Sequence, residues 1–115
     1  MKSVILVNDI GTTSVRTCAI ETSTGNIVSQ SSKKYSWHHT KEGWTTMNPQ
    51  EIWSSTMKTL ETVLKDLENK WEPMALSFSY IGDSTILVDE DGHELYEMIQ
   101  HLIIVPKKKL KKLKK

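Results

Sequence analysis

Three patterns of apolar and polar residues run along this chain, and each predicts a different kind of element. From Ser3 to Val7 the apolar positions are continuous, as in a central strand buried on both faces. Ser14 to Ile20 is rich in β-branched residues, and Ile27 to Trp37 alternates toward a polar outer face. Both read as strands. Between them, Glu21 to Asn26 is turn chemistry, because Gly25 and Asn26 accept positive φ. These three strands predict an antiparallel meander. The period then changes. Ile52, Trp53, Met57, Leu60, Leu64 and Leu67 recur at helical spacing and predict one apolar stripe facing the core. Asn48 suits an N-cap, Pro49 the first helical position and Glu51 the third, so the helix starts there and ends near Asn69. Pro73 to Ser79 reads as a strand reached through a helix, hence parallel to the first. Thr85 to Val88 reads as another, closed by the turn Asp89-Glu90-Asp91-Gly92. The order β-β-β-α-β-β predicts an α/β domain with a mixed sheet. There are no internal repeats.

Composition narrows the class. The chain has 115 residues, room for one modest domain, and its 37% hydrophobic and 25% charged content is ordinary for a globular protein. The single cysteine, Cys18, excludes an internal disulfide and suits a reducing compartment; its strand-like setting marks a core thiol. No window is apolar for long enough to span a membrane, and the N-terminal apolar run stops at Asp9, a poor signal peptide. A cytoplasmic protein with no membrane partner is expected.

Net charge conceals an asymmetry. Residues 107–115 hold seven lysines and no acid, and without them 8 basic residues face 14 acidic ones. The body is therefore acidic and the tail strongly basic, and the two need separate explanations.

The candidate chemistry lies between the first two strands. Asp9-Ile10-Gly11-Thr12-Thr13-Ser14-Val15-Arg16 joins a strand end to an acid, a glycine, three hydroxyls and a base. Such a turn can cradle phosphate: glycine permits close approach, and hydroxyls and backbone N–H groups donate to phosphate oxygens. Asp9 could hold Mg²⁺, usually through water, since that ion prefers carboxylate oxygen. An ordinary hairpin turn is the other reading of the same residues.

Further motifs decide between them. Asp9 to Arg16 resembles the first phosphate loop, D-x-G-T-x-S-x-[K/R], of the FGGY family of carbohydrate kinases. Gly43-Trp44 followed by Asn48-Pro49 resembles that family's G-W-x-E-Q-D-P loop before the first helix. Ser79 through Asp89-Glu90-Asp91-Gly92 resembles its strand-turn-strand ending in L-D-x-x-G. The resemblance spans residues 2 to 99. It implies a ribonuclease-H-like α/β fold of the actin-like ATPase superfamily, here incomplete, with ATP and a sugar, polyol or sugar acid bound between two lobes. It places Asp9 at Mg²⁺ and Gly11, Thr12, Thr13, Ser14 and Arg16 at the ATP phosphates. The chemistry implied is phosphoryl transfer to a substrate hydroxyl by positioning and charge neutralisation.

Two departures qualify that match. Thr46-Met47-Asn48 stands where the family has E-Q-D, and Ile81-Gly82-Asp83-Ser84 stands where xylulose kinases have Q-M-H-G. Asp83 reads equally as a sugar-hydroxyl acceptor or as a turn residue. The family's catalytic aspartate, adenosine-binding segments and second lobe fall beyond this length, so the polypeptide alone is expected to lack kinase activity.

Residues 1–99 thus read as a partial N-terminal kinase domain and 100–115 as a basic tail. Synonymous codons for the segment from Gln100 onward can encode, one base out of frame, a D-x-R-A motif followed by a glutamate/lysine helix. This suggests a frameshift scar. A basic amphipathic segment for membranes or nucleic acid, with Leu110 and Leu113 on one side, and a solvated disordered run are the other readings. A stand-alone polyanion-binding module is accordingly the alternative function, although nucleic acid is the less favoured partner. His38, His39, His93 and His101 show no metal-site spacing, and Trp37, Trp44, Trp53 and Trp71 are expected in core or loop packing. A missing lobe should leave apolar surface bare and favour a homo-oligomer.

Overall fold

The computed structural model describes residues 1–82 and 84–100. They form two units, each built from two stretches of chain: residues 1–35 with 50–81, and residues 36–49 with those from 82 onward.

The first unit is a four-stranded sheet with one helix. Strands β1 (Lys2–Ile10), β2 (Ser14–Glu21) and β3 (Ile27–Lys34) form the predicted antiparallel meander. The helix α1 (Pro49–Leu67) leads to β6 (Trp71–Ser79), which pairs parallel to β1, giving the order β3-β2-β1-β6. The change from antiparallel to parallel pairing follows from connection length: tight turns join β1, β2 and β3 in succession, while a helix carries the chain back to the other side of β1. Pairing of β1 with β6 slips between Val4 and Ile5, so that Pro73 and Ala75 take successive partners and Met74 bulges out of register.

Alternation along the strands builds the core. Val4 and Leu6 of β1 and Ala19 of β2 project from one face and pack with Val63 and Leu67 of α1. The helix carries Glu51 in its first turn and Lys65 in its last, matching its dipole. Asn69, at φ 63°, turns the chain out of the helix in the left-handed region, at the boundary the pattern predicts.

The buried helix stripe differs from the predicted one. Ser55, Thr56, Thr59, Val63 and Leu67 are buried, whereas Trp53 is 64% and Leu64 40% exposed. The stripe is rotated because its middle turns carry a polar link to the sheet. Asn8 Nδ2 donates to Thr17 Oγ1 (2.6 Å), Thr17 and Thr59 share a hydroxyl hydrogen bond (2.8 Å), and Thr59 donates to the Thr56 carbonyl (3.0 Å). Small hydroxyl residues satisfy buried partners at a spacing where a bulky apolar side chain would not fit.

The second unit is smaller. Strands β4 (His38–His39), β5 (Thr45–Met47) and β7 (Met98–Ile99) form a three-stranded antiparallel sheet, where the sequence pattern predicts only a loop over residues 38–47. Met47 and Met98 are its buried apolar residues, beside Thr46 and Gln100. Residues 85–88 form no continuous strand: Thr85 bridges Ile99, and Val88 bridges Glu94 around the predicted turn. Gly92, at φ 85°, closes that turn, and Asp89 Oδ1 accepts the N–H groups of Asp91 and His93, both at 2.9 Å.

Candidate functional site

The β1–β2 turn is tight, and its glycine is explained by space. Gly11 N–H donates to the Ser14 carbonyl at 2.9 Å, closing the turn between the paired residues Ile10 and Val15. A Cβ on Gly11 would lie 3.2 Å from that same carbonyl oxygen, closer than a side chain comfortably sits. Gly11 thus permits the backbone approach without needing a left-handed φ. Its N–H is used within the turn, where Thr12 and Thr13 are exposed and Ser14 is half-buried.

Register brings the remaining residues into line. Asp9 is opposite Arg16 on β2, Arg16 is opposite Ser32 on β3, and Asp9 is opposite Ser79 on β6. Partners share a face, so Ser79, Asp9, Arg16 and Ser32 form a polar row across the sheet on the side away from α1. Arg16 lines a shallow depression with Gln30, Ser31 and Ser32. Cys18 lies half-buried in the next row of that outer face, in line with Val7 and Gln30, and is not part of the helix-side core. A carboxylate, a guanidinium and several hydroxyls at one strand end can bind an anion and its counter-cation together.

Two groups behind the turn carry no obvious sequence signal. Asn8 is fully buried immediately before Asp9, and through Thr17 and Thr59 it ties the end of β1 to α1; its Oδ1 has no partner among the described residues. Tyr35 is only 8% exposed, and its N–H donates to the Thr13 carbonyl at 3.0 Å, bracing the turn from the end of β3. Burial, then the negative charge of Asp9, push the Tyr35 hydroxyl up to about 12, and it too lacks a hydrogen-bond partner among the described residues. An asparagine in an apolar run and a tyrosine beyond a lysine pair were the only hints of them.

A single carboxylate at the strand end fits a cation held mostly by water and phosphate oxygens, as Mg²⁺ prefers, and does not fit an all-protein cage. Asp89, Asp91 and His93 of the second unit bring ligand atoms within 4.8 Å of one another, but they are surface groups whose Asp89 oxygen already caps the turn. In the same unit Glu97 accepts from His38 Nδ1 (2.6 Å) and from Thr46 (3.0 Å), which cross-links β4 and β5. Asp83 lies outside the described residues, as does the lysine tail. Trp37 and Trp71 are half-buried, whereas Trp44 and Trp53 lie on the surface rather than in the expected packing.

The sequence model for the N-terminal domain of the FGGY family of carbohydrate kinases matches residues 4–104. The chain belongs to that family. A glycerol kinase from Thermococcus gammatolerans is 32% identical over 102 residues, which is 86% of this chain and 20% of that relative. Among solved structures, xylulose kinase from Rhodospirillum rubrum superposes with a TM-score of 0.83 at 20% identity, covering 96% of this chain and 23% of that one. Plasmodium falciparum glycerol kinase, solved with ADP, gives a TM-score of 0.75 at 23% identity over 85% of this chain and 20% of that one. The fold is thus the ribonuclease-H-like, actin-like ATPase fold, with one helix on a mixed sheet that does not close. This FGGY-family chain spans about one fifth of the length of the relatives it matches. Among its described residues no helix is long and apolar enough to cross a membrane.

Proposed function

We propose that the β1–β2 turn is the phosphate-binding loop of an ATP-dependent kinase that phosphorylates a hydroxyl of a sugar, polyol or sugar acid. The observation that carries this reading is the register pairing of Asp9 with Arg16 beside a hydroxyl-bearing turn whose glycine leaves little room for a side chain. Arg16 and the hydroxyls of Thr12, Thr13 and Ser14 would take phosphate oxygens, and Gly11 lets them come close. Asp9 would hold Mg²⁺ through water, and that ion neutralises phosphate charge when bound. The lone half-buried Cys18 is consistent with a reducing, cytoplasmic setting.

This chain supplies one wall of such a site. No residue assigned here removes the proton of the accepting hydroxyl, and an open loop does not exclude water. Weak phosphate binding without turnover is therefore the activity assigned to the polypeptide itself. The test is a titration of labelled protein with ATP and Mg²⁺, followed by the amide signals of residues 11–14. Saturable shifts there, lost in Arg16→Gln and Asp9→Asn, are expected. Shifts elsewhere only, or turnover of a sugar in a coupled assay, would overturn the reading.

A further inference from the structure

Behind the Asp9–Arg16 pair, three fully buried side chains join the sheet to the helix. Asn8 and Thr17 are register partners on β1 and β2, each one residue from the charged pair, and Thr59 faces them from α1. Their hydrogen bonds have one direction. Thr59 Oγ1 donates to the Thr56 carbonyl (3.0 Å), and a hydroxyl has a single proton. Thr17 Oγ1 must then donate to Thr59 (2.8 Å), and it accepts from Asn8 Nδ2 (2.6 Å). Each hydroxyl proton is used, and the chain of bonds ends on the helix backbone.

The place of this polar chain is selective. Farther from the turn, Val4, Leu6 and Ala19 pack on Val63 and Leu67 with apolar contact alone. Apolar contact has no direction and tolerates small slides, whereas a hydrogen bond weakens steeply as its angle closes. A buried hydrogen bond adds little net stability, so what it supplies in this row is orientation. Side chains alternate along a strand. Fixing Asn8 and Thr17 on the helix side therefore fixes the backbone from which Asp9 and Arg16 leave on the other side.

We infer that Thr59 is a positioning residue for the phosphate site. Through Thr17 and Asn8 it holds Arg16 and Asp9 in one mutual placement, and it makes that placement depend on the seat of α1. The inference rests on the phosphate reading of the β1–β2 turn. Coupling of this kind is reciprocal, so a ligand at the turn is felt at Thr59.

The test is a titration of the labelled full chain with ATP and Mg²⁺, read at the amides of residues 11–14 and at threonine methyl groups. Thr59→Val, which keeps the shape and removes the hydroxyl, should weaken binding about tenfold, as loss of an outer partner does at other ion sites. Thr59→Ser should restore it. Val63→Ala, which loosens the same helix without touching the hydrogen bonds, should leave the affinity within about twofold. In the unsubstituted chain the Thr59 methyl signal should shift in step with residues 11–14, while that of Thr62, on the exposed side of α1, stays still. If Thr59→Val loses its native circular dichroism, the Thr59 methyl signal decides. Equal binding by Thr59→Val, an equal loss in Val63→Ala, no rescue by Thr59→Ser, or a Thr59 methyl indifferent to ligand would each overturn this inference and leave the phosphate reading standing. An unsubstituted chain with no saturable shift at residues 11–14 would overturn both.

Discussion

Tyr35 shows how a residue outside any motif can set the behaviour of the site. Its backbone braces the β1–β2 turn, and its phenol is buried near Asp9, which pushes its pKa up to about 12 from the ordinary tyrosine value of 10. The sign follows: below pH 10 the phenol is neutral in both states and its burial is undisturbed. As pH rises from about 10 to 12 the unfolded chain ionises first, and stability drains away. An absorbance titration should show a late tyrosine ionisation near pH 12, and Tyr35→Phe should remove both that late step and its share of the alkaline loss. A late step that survives Tyr35→Phe would refute this. At this scale the turn itself was readable in advance, because Asp9, Gly11, the hydroxyls and Arg16 are contiguous. Tyr35, Asn8 and Thr59 were not, since their relation to the turn is made by pairing across strands and to the helix.

At the scale of elements, α1 is the informative case. Its start at Pro49 and its end before Asn69 were legible, since capping chemistry is local. Its buried face was not, because hydrophobicity counted Trp53 and Leu64 while the sheet selected Ser55, Thr56 and Thr59. Val63→Ala should therefore cost roughly 2–3 kcal/mol in urea unfolding. Trp53→Gln, at a position that looks more apolar in sequence, should change stability by no more than about 0.5 kcal/mol. The reverse ranking would mean that the predicted stripe, and not the observed one, packs on the sheet. The short strands β4 and β5 escaped prediction for a related reason: two or three residues hold no period, and their pairing with each other and with β7 is non-local.

At the scale of the molecule, the two units differ in how much they bury. The first packs Val4, Leu6, Ala19, Val63 and Leu67 into one cluster, whereas the second rests on strands of two or three residues around Met47 and Met98. Local opening tracks buried apolar contact, so amides of residues 38–47 should exchange faster than those of β1 and β2 in native-state hydrogen exchange. Equal rates across the two sets would indicate a single cooperative unit. The chain spans about one fifth of the relatives it matches, and among the described residues Leu76 and Phe78 of β6 are exposed.

The sequence by itself determined the family, the meander, the helix limits and the β1–β2 turn, because each is written in residues close together along the chain. Turn, cap and strand chemistry act over a few positions and need no partner from afar. Tertiary structure alone decided which helix face is buried and which groups stand behind Asp9. Those depend on pairing between segments far apart in sequence, such as Thr17 with Thr59, where close packing and hydrogen-bond satisfaction outweigh the hydrophobic pattern of either segment.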